Sequence, residues 1–144
     1  MRRLTGGSVC SGAIDGLGIA ASLAGFDIVF HVEFDDWRRK VLEKHAPKYW
    51  PNSKQYKDLE TLETAALPRP DVLFGGFPCQ DVSLAGNRAG LGKGTRSGLW
   101  FHFRRLIGDL RPRAVVVENV PGLLSLGGST VIADLAALGY DATW

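Results

Sequence analysis

The sequence predicts an α/β protein, a parallel sheet with helices on both faces, and three observations predict it. Strand-like apolar runs alternate with amphipathic helical stretches along the whole chain. Two of those runs, Asp71-Val72-Leu73-Phe74 and Ala114-Val115-Val116-Val117, lead straight into segments that carry chemistry, Gly75-Gly76-Phe77-Pro78-Cys79-Gln80 and Glu118-Asn119-Val120-Pro121. A glycine, Gly12, sits in the turn after the first run, where the backbone of a parallel-sheet protein approaches a ligand. Ligands of such sheets gather beyond the carboxyl ends of the strands. The Cys79 thiol and the Glu118 carboxylate are therefore expected at one sheet edge, as a nucleophile and acid pair.

The elements follow in order. A first strand is expected near Gly7 to Cys10, then a helix within about Ile14 to Ala24 that Gly25 closes. Asp27 to Glu33 reads as the second strand. Asp36 can cap a helix in which Trp37, Val41 and Leu42 share a face and which Pro47 ends. Pro47 to Lys57 has no clean period and reads as a connection with a short strand near Gln55 to Asp58. After Pro68 and Pro70 comes the strand Asp71 to Gly75, and then a glycine-spaced segment, Asp81 to Gly98, too long for an ordinary connection. From Ser97, Leu99, Trp100, Phe103, Leu106, Ile107 and Leu110 recur at helical spacing up to Pro112. A strand Arg113 to Val117 and a last helix within Ser129 to Leu138, stopped by Gly139, follow. Tyr140 to Trp144 reads as the start of another strand.

With 144 residues, 45% hydrophobic and 22% charged, the chain has the composition of one globular domain with a real core. A formal charge of +2 permits a nucleic-acid partner without demanding one. Cysteine occurs only at Cys10 and Cys79, without Cys-x-x-Cys spacing, so neither a zinc site nor a disulfide scaffold is indicated. The N-terminus lacks the apolar core of a signal peptide, and no stretch reaches membrane-spanning length. A soluble, cytoplasmic protein is expected.

Glu33 ends the second strand 21 positions after Gly12, close to the spacing at which a carboxylate meets ribose hydroxyls in nucleotide-binding folds, which suggests an adenosine-containing cofactor. The order of motifs, from Ser8-Val9-Cys10-Ser11-Gly12 through Phe77-Pro78-Cys79-Gln80 to Glu118-Asn119-Val120, resembles the DNA (cytosine-5) methyltransferase family along nearly the whole chain. That resemblance implies a Rossmann-like S-adenosylmethionine-dependent fold, a cofactor-binding half over 1–70 and a catalytic half over 71–144. It implies that Glu33 binds the ribose of S-adenosylmethionine, that Phe34 packs on adenine and that Asp58 contacts the adenine edge. Cys10, Ser11, Gly12, Pro78 and Leu99 complete the implied cofactor set. The chain departs from the family at the glycine turn, where Gly12-Ala13-Ile14-Asp15-Gly16-Leu17-Gly18 carries one residue more than the closely spaced glycines usual there. Asp15 could cap the helix or reach the cofactor's ammonium group.

Carbon 5 of cytosine is barely nucleophilic in an intact ring, so the family's chemistry begins with addition at carbon 6. Cys79 would attack there while Glu118, bonded at N3, stabilises the charge pushed into the ring; methyl transfer, loss of the carbon-5 proton and expulsion of the thiolate follow. Pro78 would fix the turn, with Gln80 and Asn119 as side chains that hold it. Other cysteine chemistries fit less well. A phosphatase loop needs an arginine six positions on, where Ala85 stands, and a cysteine protease needs a base, whereas His31, His45 and His102 sit in apolar or amphipathic surroundings.

A base in a duplex must be swung out to meet the thiol. The segment Asp81 to Gly98 resembles the family's mobile catalytic loop, with Gln80, Ser83, Arg88, Lys93 and Arg96 as candidate DNA contacts, and is followed by a Ser97-to-Phe101 run that also matches. The clusters Arg38-Arg39-Lys40 and Arg104-Arg105 read as solvated faces. The family's arginine motif, target-recognition domain and final helix have no counterpart here. The expectation is the N-terminal part of a catalytic domain, with an incomplete sheet, inactive alone unless a second polypeptide supplies the rest. Methylation of transfer RNA and an inactive cofactor- or nucleic-acid-binding remnant are the competing readings.

Overall fold

A computed structural model describes residues 2–78 and 98–144. The described strands are β1 (Thr5–Val9), β2 (Asp27–Val32), β3 (Lys54–Tyr56), β4 (Val72–Gly75) and β5 (Ala114–Val117), and the helices are α1 (Gly16–Leu23), α2 (Asp36–Tyr49), α3 (Leu99–Leu110), α4 (Gly122–Leu126) and α5 (Gly128–Ala137). All strand pairs are parallel, in the order β3-β2-β1-β4-β5. The chain winds outward one way from β1 to β3, then returns to β4 on the other side of β1. The gap between the carboxyl ends of β1 and β4 is thus a topological switch point, where an open parallel sheet leaves a crevice.

Helices cover both faces, as the alternation of elements predicts. On one face Ile28 and Phe74 pack against Leu42, Ala46 and Trp50 of α2 and its C-cap, with Leu17 and Ala21 of α1 alongside. On the other, Val9, Phe30, Val32 and Leu73 meet Trp100, Phe103, Leu106, Ile107 and Leu110 of α3 and Val131 and Leu135 of α5. The helical spacing of the α3 residues is what buries them, since positions three and four apart fall on one stripe. Between α3 and α5, Asp134 accepts from Trp100 Nε1 at 2.8 Å and pairs with Arg104 at 2.9 Å.

A bulge gives β2 its two-sided burial. The register jumps from Gly6 opposite Ile28 to Gly7 opposite Phe30, so Val29 is an extra residue. Ile28 and Phe30 therefore face opposite layers, and His31 turns toward α2, its ring 4.7 Å from that of Trp50. Gly7 is required here, because a Cβ would run into the Phe30 ring.

Several boundaries and faces differ from the sequence expectation. Helix α2 passes through Pro47 to Tyr49, and its N-cap is Asp35, whose side chain accepts from the Arg38 N–H at 2.8 Å. Trp37 is 68% exposed rather than sharing the core face, which Leu42 and Ala46 fill. Arg104 and Arg105 are not simple solvated charges. Arg104 pairs with Asp134, and the Arg105 guanidinium donates to the carbonyls of Leu59 and Leu62 at 2.9 and 3.0 Å. Residues 140–144 form no strand; Tyr140 instead folds back, its hydroxyl donating to the Pro112 carbonyl at 2.6 Å.

At the amino end of the sheet, Asp71 ties β1 to β4. Its carboxylate accepts from the Thr5 N–H and hydroxyl and pairs with Arg2. The Thr5 backbone N–H above all, with the Thr5 hydroxyl and Arg2 in support, holds this carboxyl below the usual carboxylate range. A depressed folded-state value means stability present above the unfolded value of about 3.9 and lost as pH falls through the folded one. Asp71→Asn is accordingly expected to lower the melting temperature at neutral pH, with the gap from the parent closing as pH drops below 3.9 (thermal melts across pH).

Candidate cofactor and catalytic site

The carboxyl ends of β1, β4 and β5 border a half-open cavity of about 330 Å³, lined on one side by Ser8, Cys10, Ser11 and Asp15 and on the other by Gly75, Gly76 and Glu118. The turn after β1 and the segment after β5 thus open into one space. Two glycines make that possible. A Cβ on Gly75 would strike the Val9 carbonyl, and one on Gly76 would lie 2.5 Å from Glu118 Oε2. The glycine pair after β4, quoted in the sequence only as the lead-in to Pro78-Cys79, is therefore what lets β1 and the Glu118 side chain close in.

Residues 10–15 form an unusual turn. Cys10, Gly12 and Asp15 all have positive φ, at 52°, 67° and 47°. No atom lies within 4 Å of a Cβ built on Gly12 or Gly16, so both face open space. The Gly12 N–H donates to Glu33 Oε2 at 2.7 Å, and the Asp35 N–H donates to Oε1 at 2.9 Å. The 21-residue spacing thus closes into a direct contact. The carboxylate is only 6% exposed, yet two N–H groups use about half of its roughly four lone-pair sites, leaving capacity for a diol.

Around that turn, Phe34 is 66% exposed with Lys57 over its ring at 5.9 Å, an apolar plate open to a planar ligand. The Asp58 side chain accepts from the Glu60 N–H, and the surrounding loop is held by Arg105. The Ser11 hydroxyl bonds Ser8 at 2.9 Å, and its N–H donates to the Val32 carbonyl. Leu99 opens α3 and packs half-buried against the core.

Burial, and after it the nearby Glu33 carboxylate, pushes the Cys10 thiol up to about 12. Cys10 is therefore no nucleophile at neutral pH. Alkylation of Cys10 at pH 8 is expected to run on the order of a thousandfold slower in the folded protein than after unfolding. Peptide mass spectrometry after timed alkylation checks this; equal rates contradict it.

On the catalytic side, Phe77 is buried with its ring 5.7 Å from that of Trp100, and Asn119 Nδ2 donates to the Phe77 carbonyl at 2.9 Å. Asn119 Oδ1 accepts from the Val120 N–H, so both ends of the amide are used. Those bonds tie the segment after β5 to the residue preceding Pro78. Glu118 N–H continues the ladder to the Gly75 carbonyl at 3.0 Å, leaving its carboxylate at the cavity wall. Cys79, Gln80, Ser83, Arg88, Lys93 and Arg96 lie outside the described residues. Among the described residues no group of His, Cys, Asp and Glu side chains could hold a metal ion, and no helix is long and apolar enough to cross a membrane.

A parallel sheet in the order β3-β2-β1-β4-β5, with helices on both faces, defines a Rossmann-like α/β protein. More narrowly, the chain belongs to the C-5 cytosine-specific DNA methylase family, whose model matches residues 5–144. It is 34% identical over 129 residues to the Type II methyltransferase M.NgoBV of Neisseria gonorrhoeae and 37% over 127 residues to the Type II methyltransferase M.NlaIV of Neisseria lactamica. Those matches cover 82% and 81% of this chain, and 29% of either relative. A protein of Escherichia phage P1 named a DNA N-6-adenine-methyltransferase is 34% identical over 99% of this chain and 20% of its own length. Enzymes of this family methylate cytosine in DNA, with S-adenosylmethionine as methyl donor.

Proposed function

We propose that this chain carries the cofactor turn and the catalytic pair of a DNA cytosine-5 methyltransferase that acts through a covalent Cys79 adduct, as part of a longer or split enzyme. One observation supports it most. The turn that bonds Glu33 and the strand end that carries Glu118 face each other across a single cavity, with Gly76 leaving room for the Glu118 carboxylate and Pro78 two residues after Gly76 in the chain. The residues fit S-adenosylmethionine: Glu33 keeps lone pairs for the ribose hydroxyls, the space over Gly12 is open, and Phe34 offers a flat apolar face. Bound there, the cofactor supplies an electrophilic methyl group.

The chain's own residues do the rest. Cys79 adds to carbon 6 of a flipped cytosine, breaking the ring's aromaticity and raising electron density at carbon 5. Glu118 holds N3 by a hydrogen bond in that step, so the displaced charge settles on a protonated ring nitrogen. Asn119 keeps the segment before Pro78 in register with Glu118 through the Phe77 carbonyl. After methyl transfer the carbon-5 proton leaves to a base and the thiolate is expelled. Gln80, Ser83, Arg88, Lys93 and Arg96 are proposed contacts to the DNA strand and its phosphates. The proposed role is that of a Type II methyltransferase, the name the Neisseria relatives carry. The chain alone is expected to give no turnover.

The phage P1 relative supports a second reading, methyl transfer to the exocyclic amine of adenine. That reaction needs no covalent adduct, so it leaves Cys79 without a task. Labelled methyl transfer from S-adenosylmethionine to duplex DNA, with base analysis of the product, separates the two. The reading predicts 5-methylcytosine when the chain is supplied within the longer enzyme or with a complementing polypeptide; N6-methyladenine, or methylated transfer RNA alone, overturns it.

A further inference from the structure

Behind the cofactor turn lies a buried polar cluster that the proposed chemistry does not use. His31 is fully buried and Asp15 is 4% exposed. His31 Nε2 lies 3.0 Å from Asp15 Oδ2, at ion-pair distance but without hydrogen-bond geometry, while Asp15 Oδ1 accepts from the Ser8 hydroxyl at 2.9 Å. On the other side of the imidazole, the Ser53 hydroxyl is 2.6 Å and the Gln55 amide nitrogen 3.2 Å from Nδ1. The Ser53 hydroxyl and the Gln55 amide nitrogen converge on Nδ1; with Nδ1 accepting from them, the ring proton sits on Nε2, toward the carboxylate.

The turn that this cluster supports needs support. Asp15 and Cys10 adopt left-handed backbone without being glycine, a conformation that persists only when surroundings over-determine it. Asp15 does not cap α1 with its side chain. Its carboxylate turns inward and fills the place a side chain at position 18 would take, since a Cβ on Gly18 would overlap Oδ2. His31 reaches this spot because the bulge at Val29 rotates it to the α2 face.

We propose that His31 and Asp15 are positioning residues for the cofactor turn. The imidazole, fixed by Ser53 and Gln55, anchors the Asp15 carboxylate. The anchored carboxylate holds residues 10–16 so that the Gly12 N–H stays on Glu33. The effect on cofactor affinity rests on the adenosyl-cofactor reading above, but the effect on the turn does not.

Amide hydrogen exchange over residues 10–18 and affinity for S-adenosylhomocysteine by calorimetry test this on the whole protein. His31→Leu is expected to speed exchange in the turn and weaken binding, each by about tenfold or more. His31→Gln, whose amide keeps a polar N–H beside the Asp15 carboxylate, should keep both within about threefold of the parent. Asp15→Asn and Ser53→Ala carry the test if His31→Leu fails to fold. Unchanged exchange in folded His31→Leu, or equal losses in the Leu and Gln variants, overturns the inference. A parent protein that binds no S-adenosylhomocysteine overturns the cofactor reading instead, and the exchange measurement still decides the positioning claim.

Discussion

Exchanging Glu118 for glutamine is expected to lower methyl transfer to DNA by roughly a hundred- to ten-thousandfold, the range by which a positioned acid accelerates such steps. Glutamine fills the same space and lines the same cavity, so S-adenosylmethionine binding should stay within about twofold; only the proton at N3 is compromised. Gly76→Ala should imitate the loss by a different route. Its Cβ would lie 2.5 Å from Glu118 Oε2 and must push the carboxylate off its position. Methyl-transfer rates beside calorimetric affinities distinguish the cases. A Glu118→Gln protein that transfers methyl groups at the parent rate removes Glu118 from the mechanism.

The second large effect is on stability and comes from Trp100. Its ring is wholly buried, sits 5.7 Å from Phe77 and 5.9 Å from Phe103, and donates its Nε1 proton to Asp134. Truncation to alanine opens a cavity under α3 and orphans the Asp134 oxygen, for a cost of about 3–5 kcal/mol. In a domain of this size that corresponds to a melting-temperature drop of roughly 10 °C. The damage should reach the site as well, because Phe77 leads directly into Pro78 and its carbonyl holds Asn119. A loss below about 1 kcal/mol in chemical denaturation would show that α3 does not anchor this part of the sheet.

Much of the fold was legible because period and position both encode it. Helix α3 announces itself through six apolar residues on one stripe, and five of them are buried. Strands β4 and β5 are short apolar runs between turn signals, and Gly12 with Glu33 mark the ends of β1 and β2 at a spacing that the structure closes into a hydrogen bond. What stayed hidden depends on tertiary contacts. The bulge at Val29 is visible only against Gly6 and Gly7 of the neighbouring strand. Pro47 can sit inside α2 because tertiary packing of Leu42, Ala46 and Trp50 holds the last turn against the local penalty. Helix α4 spans five residues, too few to show a period.

The site divides in the same way. Motif order points to the carboxyl ends of the strands, where Glu118 and the turn after β1 line one space, because parallel strands all present their carboxyl ends there. The part played by Gly75 and Gly76 was missed, although two adjacent glycines after a strand signal close backbone approach. The apolar surroundings of His31 in the sequence give no sign of a role beyond the core. It is a core residue, but one whose Nε2 faces the Asp15 carboxylate of the turn after β1, and only the bulge makes it so.

Covalent trapping with a duplex containing 5-fluorocytosine tests the central claim most directly, since fluorine at carbon 5 blocks the final elimination. In the presence of S-adenosylmethionine, the whole or reconstituted enzyme is predicted to form a denaturation-resistant adduct that peptide mapping assigns to Cys79 and that Cys79→Ser abolishes. An enzyme that methylates cytosine in DNA yet forms no such adduct, or forms it at another residue, would contradict the account.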